Sequence, residues 1–232
     1  MTYLLGIGDA SEYDTNARTD WSLAARRGCQ WGLVRACTTG AWSNGKPSLK
    51  KDPMFEANAA NMKAAGMKRA TYAWFDARVK YVSAQDQAMF FLETIKSVGP
   101  GEFGAVLDVE DSGAVKAYTG IGTHVLTWLS IVEKALQVRP CIYVNQDFTL
   151  NYLFGATIKE TWLPDYEVII ASWGGPAPVV PQPWAPLTWR AWQYRANAPG
   201  AYYGFHNAVV GKAAPNICLA LWNSDSPQQV KF

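Results

Sequence analysis

The segment GAVLDVED, residues 104–111, ends an apolar run on three carboxylates, Asp108, Glu110 and Asp111. If the run is a β-strand, Asp108 and Glu110 stand two residues apart on one face, with Cβ atoms roughly 6–7 Å apart. At that distance like-charge repulsion favours keeping a proton on the pair, which is what a general acid needs at neutral pH. Hydrolysing a glycoside takes such a pair together with flat apolar surfaces for the sugar rings. The spacing does not choose a stereochemical course. Flexible side chains span both the roughly 5.5 Å separation of retaining enzymes and the 6.5–9.5 Å of inverting ones. Acidic pairs also occur where a strand simply leaves the core and meets water, so the motif alone leaves both readings open.

Other apolar runs end on polar or aromatic groups in the same way: Asp9, Arg35, Asp76, Asn145, Trp173, and Gln193 with Tyr194. Eight β-rich runs deliver them, at 3–9, 31–37, 69–75, 105–110, 140–145, 167–173, 188–194 and 216–222. Several are almost continuously apolar, as strands buried on both faces of a parallel sheet are. Helical patterns separate the first five. Residues 20–28 open on Asp20 and close on Gly28, and residues 52–66 open on Asp52-Pro53 and close on Gly66, the order expected of an N-cap and a C-terminal glycine. Residues 83–99 and 122–137 repeat the pattern. Strand–helix alternation of this kind predicts right-handed βαβ crossovers. The later connections are short and proline-rich, as in GGPAPVVPQPWAP at 174–186, where a regular helix cannot form.

The expectation is an α/β chain forming a single domain over residues 1–232. Its fold is a modified (β/α) barrel of eight strands with reduced helices in the last third, a (β/α)5(β)3-like arrangement. A doubly wound open sheet is the rival, disfavoured because no glycine-rich phosphate loop comes after the first strand. In a barrel the reaction centre lies at the C-terminal ends of the strands. That would gather the residues above with those just beyond the eighth strand.

Composition narrows the function. Hydrophobic residues make up 49% and charged residues 17%, enough apolar surface for a large core. The net charge is +2 with no basic run or stripe, so no nucleic-acid partner is expected. Eleven Trp and eleven Tyr supply core packing and, for some, stacking platforms for flat ligands. No apolar run reaches 18 residues, so no membrane insertion is expected. The opening MTYLLGIGDASEYD has no basic segment and only a short apolar stretch. Synthesis in the cytoplasm without a signal peptide is therefore expected. Cys29, Cys37, Cys141 and Cys218 show no CxxC spacing and read as free core thiols rather than, with His124 and His206, a metal site.

With these residues in view, the chain resembles the glycoside hydrolase family 25 muramidases, the Chalaropsis-type lysozymes. Asp9 and Ser11 of GDASEYD match the family's opening Asp-x-Ser strand end. Arg35 and Ala36 of LVRACTTG match its second strand, and DPMFEANAANMKAAG matches its Asp-Pro-x-Phe helix. Tyr72 of ATYAWFD, the Asp-x-Glu of AVLDVED, and then IYVN, IIASW and AWQYR come in order. The similarity runs from residue 3 to about 223.

The resemblance implies hydrolysis of the β-1,4 bond between N-acetylmuramic acid and N-acetylglucosamine in peptidoglycan glycan strands, with no metal and no cofactor. Glu110 would be the general acid. Asp108 would position the substrate's N-acetyl group, and Asp9 would support the charge network. Tyr72, Arg35, Asn145, Trp173, Trp192, Gln193 and Tyr194 would bind the sugars, and Asp111 would only solvate a turn. A lysozyme of this kind suits a bacteriophage endolysin released through a holin pore, or a part of the virion, acting at the bacterial cell wall.

The chain also departs from the pattern. Cys218 stands where the family's last strand carries an Asp, Ala73 where a His commonly comes after the Tyr, and Thr38 where an acid comes after the second strand. Asp225 could replace the lost carboxylate only if the terminal loop folds back. The segment 195–215 is longer than the family's and would form a flap or an interaction surface. The alternative reading is therefore a catalytically weakened or inactive module that keeps the fold, binding cell-wall glycan or serving as a phage structural component. Another amino-sugar polymer as substrate is a third option.

Overall fold

The structure is a computed structural model that describes residues 3–43, 46–110, 120–185 and 189–224. Eight strands close into a barrel: β1 (Tyr3–Ala10), β2 (Trp31–Ser43), β4 (Lys68–Trp74), β5 (Gly104–Asp108), β6 (Cys141–Asn145), β7 (Val168–Ala171), β8 (Ala191–Pro199) and β9 (Asn216–Asn223). β1 pairs with both β2 and β9, which completes the ring. A ninth strand, β3 (Lys46–Lys51), lies antiparallel on the outer part of β2. Its sequence, KPSLKK, lacks the apolar alternation that marks a strand, so this hairpin is an addition to the expected eight.

The helices α1 (Trp21–Arg26), α2 (Phe55–Ala64), α3 (Ala84–Ile95) and α4 (Ile121–Leu136) fill the expected positions. Asp20 caps α1 by accepting from the Leu23 amide at 2.9 Å, and Ser83 caps α3 by accepting from Asp86 at 3.0 Å. Asp52 does not cap α2 directly. It accepts from the Met54 amide ahead of the helix at 2.8 Å, and its other oxygen is held by the Glu12 amide and by Arg35. No helix among the described residues is long and apolar enough to cross a membrane.

Strand alternation sorts the core into two compartments. Ile7, Val34, Leu107, Ile142, Val144, Ile170 and Leu219 face outward and pack with helical residues such as Phe91 and Trp128. Trp31, Leu33, Ala70, Val106, Cys141, Ile169, Ala191, Ala220 and Trp222 fill the interior. Small and large residues alternate there: a Cβ on Gly6 would collide with the Trp31 indole. Trp222 lies 5.2 Å from Trp31 and stacks on Phe103 at 4.0 Å, so aromatic rings plug the N-terminal end of the barrel. The other end keeps the polar side chains.

The last strand changes the expected geometry. β9 runs antiparallel to both neighbours, so the start of this strand, rather than the chain beyond its end, reaches the polar mouth. Cys218 lies there, and Asp225 is outside the described residues, as is Asp111. The segment 195–215 begins as the end of β8 and then runs alongside α1. A 3-10 turn at Gly200–Tyr203 and the chain beyond it are fastened to α1. Asp20 N–H donates to Gly204 O at 2.8 Å, Arg27 lies over the Tyr202 ring, and fully buried Phe205 meets Trp21 edge-on.

Candidate active site

β5 carries Val106 and Asp108 on its inward face, and the same alternation continues to Glu110. Asp108 is almost fully buried, whereas Glu110, just past the strand, is exposed at the mouth. One carboxylate therefore sits inside the cleft wall and the other is open to an entering molecule.

Asp9 reaches the same space through an irregularity. Ile7 pairs with Gly32 but Ala10 pairs with Val34, so β1 holds one residue more than β2 over this stretch. Ile7 and Ala10 both pack in the outer core. The extra residue is a bulge, and it turns Asp9 inward where strict alternation would have sent it outward. There the Tyr72 hydroxyl donates to Asp9 Oδ1 at 2.6 Å. Burial and the nearby charge of Asp14 push the Asp9 carboxyl up to about 7, against the lowering effects of the Tyr72 hydrogen bond and Arg35. The Tyr72 phenol is pushed well up by burial and by Asp9 and Asp108.

On the opposite wall Gln193 organises two aromatic residues. Its Oε1 accepts from the Tyr143 hydroxyl at 3.0 Å and from Trp173 Nε1 at 3.1 Å, while its Nε2 donates to Gly8 O at 3.2 Å. Tyr143 pairs with Asp108 across β5 and β6, and burial, Glu110 and Asp108 push its phenol well up. The Trp173 ring is 57% exposed and held by its edge, the arrangement of a stacking platform. Tyr143 and Trp74 are additions to the expected set; Trp74 shares the inward face of β4 with Tyr72 and pairs with Asp108. Both stand two residues from a residue that the sequence does single out, so the period-2 alternation could have found them.

The remaining expected residues are held by other partners. Arg35 is buried and bonded to Asp52 (2.9 Å) and Glu12 (3.3 Å), beneath the exposed Tyr13 ring. It ties the loop after β1 to β2 and acts on Asp9 through charge. Asn145 caps the helical turn after it, accepting from Phe148 N–H at 2.8 Å. Trp192 alternates with Gln193 and is covered on the outer side, donating to Ser172 O at 2.6 Å and packing against Trp189. Tyr194 packs against the outer core as well. By strand parity Trp192 lies on the outer side of β8, away from the expected groove, whereas Tyr194 sits in a register shift between Gln193 and Arg195 and borders a recess with Trp173. Asp76 is fully buried and engaged by Arg78, Thr39 and Gln87. Ala73 faces the outer core, so that departure lies away from the mouth.

Cys218 does face the mouth, on the same side of β9 as Ala220 and Trp222. Burial and the charges of Asp9, Asp14 and Glu110 push its thiol up to about 12. It is neutral in any ordinary buffer. Among the described residues no three His, Cys, Asp or Glu side chains are grouped to hold a metal ion.

Comparisons with known proteins bear on the fold and the family. In fold the chain is similar to a lysozyme from Streptomyces coelicolor, at 21% identity and a TM-score of 0.67, covering 96% of this chain and 93% of that one. It is similar to a muramidase from Acremonium alcalophilum, at 16% identity and a TM-score of 0.69, covering 96% and 95%. The catalytic domain of the endolysin ply40 from a Listeria monocytogenes bacteriophage gives 15% identity and a TM-score of 0.65, covering 97% and 95%. At such identities the likeness is one of fold. Among curated proteins, the uncharacterized protein YegX of Escherichia coli K12 is 35% identical over 111 residues, 48% of this chain and 39% of that protein. The match thus spans about two-fifths of that relative's length. The model of glycosyl hydrolases family 25 matches residues 8–201, most of the 232. The chain belongs to glycosyl hydrolases family 25.

Proposed function

We propose that the chain is a peptidoglycan hydrolase of the N-acetylmuramidase type, cleaving the β-1,4 bond between N-acetylmuramic acid and N-acetylglucosamine. The observation that carries this reading is the placement of Asp108 and Glu110 on one inward face at the polar mouth, with Asp9 and Tyr72 turned into the same cleft. Family membership adds to it. Glu110, the exposed member, protonates the glycosidic oxygen as the bond breaks. Asp108, held in the wall, orients the 2-acetamido N–H so that the amide oxygen attacks C1 from the opposite face. Asp9 adds negative charge as positive charge develops at C1. Water then attacks C1 with Glu110 as base, and two inversions at C1 leave a β-configured product. Trp173 stacks on a sugar ring. The lytic setting, release to the cell wall or residence in a virion, is part of the proposal, and the fold shared with the ply40 endolysin domain supports it.

The test is clearing of a peptidoglycan suspension by purified protein, with new reducing ends measured on defined muropeptides. Glu110→Gln should lower the rate by at least about a hundredfold without changing the circular dichroism spectrum, because residue 110 is exposed. Equal and negligible clearing by both proteins, with the wild type still pelleting with cell walls, would overturn it.

That outcome belongs to a second reading, a glycan-binding module with weakened catalysis. The neutral thiol of Cys218 among Asp9, Asp14 and Glu110 favours it, since a thiol contributes no charge at the mouth. Under that reading Cys218→Asp gains clearing activity that the wild type lacks.

A further inference from the structure

Beside the Trp173 platform lies a recess whose far side the hydrolytic mechanism does not use. β7 ends at Ala171, opposite Gln193, and the chain carrying Trp173 then peels away. β8 continues to Pro199 with β9 on its other side. On its β7-facing side, past Gln193, no further strand pairing occurs among the described residues. The space between is an open recess of about 510 Å³ lined by Trp173, Gly174, Tyr194, Arg195, Ala196 and Asn197. Residues 195–197 are all exposed. Arg195 Nε donates to Asn197 Oδ1 at 3.4 Å, and among the described residues Arg195 makes no ion pair.

Charge decides what such a recess can hold. The reaction centre gathers Asp9, Asp14, Asp108 and Glu110, and Asp9 already feels the charges of Asp14 and Glu110. A second anion would be repelled there. The recess starts at the Trp173 platform, one hydrogen bond from Gln193 and the Tyr143 pair, and presents a guanidinium at its far side. An open strand edge can also hydrogen-bond an extended peptide backbone. We propose that this recess is a specificity subsite for an acidic peptide substituent on the glycan, its chain extended along the edge of β8 and a carboxylate taken by Arg195 with Asn197 beside it.

The inference rests on the glycan-hydrolase reading, and the experiment separates the two. Glycan strands bearing their peptide stems are compared with the same strands after enzymatic removal of the stems. The quantity read is the ratio of kcat/KM for the two substrates. The wild type should favour stem-bearing strands by up to about fivefold, the upper end for an exposed charge pair, and the preference should shrink as salt is raised. Arg195→Ala should bring the ratio close to one through KM, Arg195→Lys should restore part of it, and Arg195→Glu should take it below one. A ratio that is unchanged in Arg195→Ala, or that is one in the wild type, overturns the subsite. Binding of soluble stem-bearing and stem-free fragments to Glu110→Gln protein, with and without Arg195→Ala, is measured by calorimetry in parallel. If the wild type cleaves neither substrate, the hydrolase reading fails, and these affinities decide the subsite: a preference lost with Arg195 supports it, and equal affinities overturn it.

Discussion

At position 9 two influences oppose each other. Burial and Asp14 favour the protonated carboxyl, and the Tyr72 hydroxyl with Arg35 favours the ionised one; the balance lies at about 7. An unfolded aspartate titrates near 4. The folded state therefore holds an extra proton between about pH 4 and 7, so the stabilisation this confers is fully present below about pH 4, falls as pH rises from about 4 to 7, and stays at the lower level above. Asp9→Asn removes the titration. It should melt above the wild type at pH 8, by roughly 2–4 °C for each kcal/mol recovered, with the difference shrinking toward pH 4, as thermal scans across that range would read. Tyr72→Phe acts the other way on the same group. Without the hydroxyl that favours ionisation, the acidic limb that Asp9 imposes on kcat/KM should move to higher pH, and an unmoved limb would show that Asp9 does not govern it. Asp108 and Glu110 were legible from their spacing alone, because alternate residues of a strand share a face whatever surrounds them. Trp192, expected in the groove from the family resemblance, stands on the other face because it alternates with Gln193.

At the scale of elements, the helix ends were readable because capping is local chemistry. Asp20 and Ser83 do what their positions promise, while Asp52 is diverted because Arg35 and the Glu12 amide compete for its oxygens. The segment after β8 was not readable. Its proline and glycine content predicts irregular chain without saying what the chain lies on, and only the fold brings Phe205 against Trp21 and Gly204 against Asp20. This contact should matter for α1, which at six residues (Trp21–Arg26) is too short to be stable alone. Phe205→Ala should cost about 3 kcal/mol and should speed amide exchange across α1 more than across α4. Uniform acceleration in both helices would mean that the segment supports the whole barrel rather than α1.

Over the whole molecule, one end of the barrel is closed by packing and the other is left to chemistry. Trp31, Trp222 and Phe103 fill the N-terminal end, and Arg190 lies 5.3 Å over Trp222 and pairs with Glu167. A barrel plugged in this way can keep polar and charged side chains at its other mouth without opening a channel through its centre. Trp222→Ala should lower stability by about 3–5 kcal/mol, read as a lower denaturant midpoint with an unchanged slope. Below its melting temperature the variant should keep the kcat/KM of the parent. A loss of kcat/KM in the folded variant would show that the two ends are mechanically coupled.

The sequence by itself determined the strand and helix order, the barrel class, and which carboxylates share a face, because periodicity, capping and strand alternation act over a few residues. The tertiary structure alone decided three things. The bulge in β1 turns Asp9 toward Tyr72. The antiparallel course of β9 brings the start of that strand, and so Cys218, to the mouth. The early end of β7 opens the recess beside Arg195. Each depends on how one strand registers against a neighbour that the chain reaches only after many intervening residues, and closing the ring is what fixes those registers.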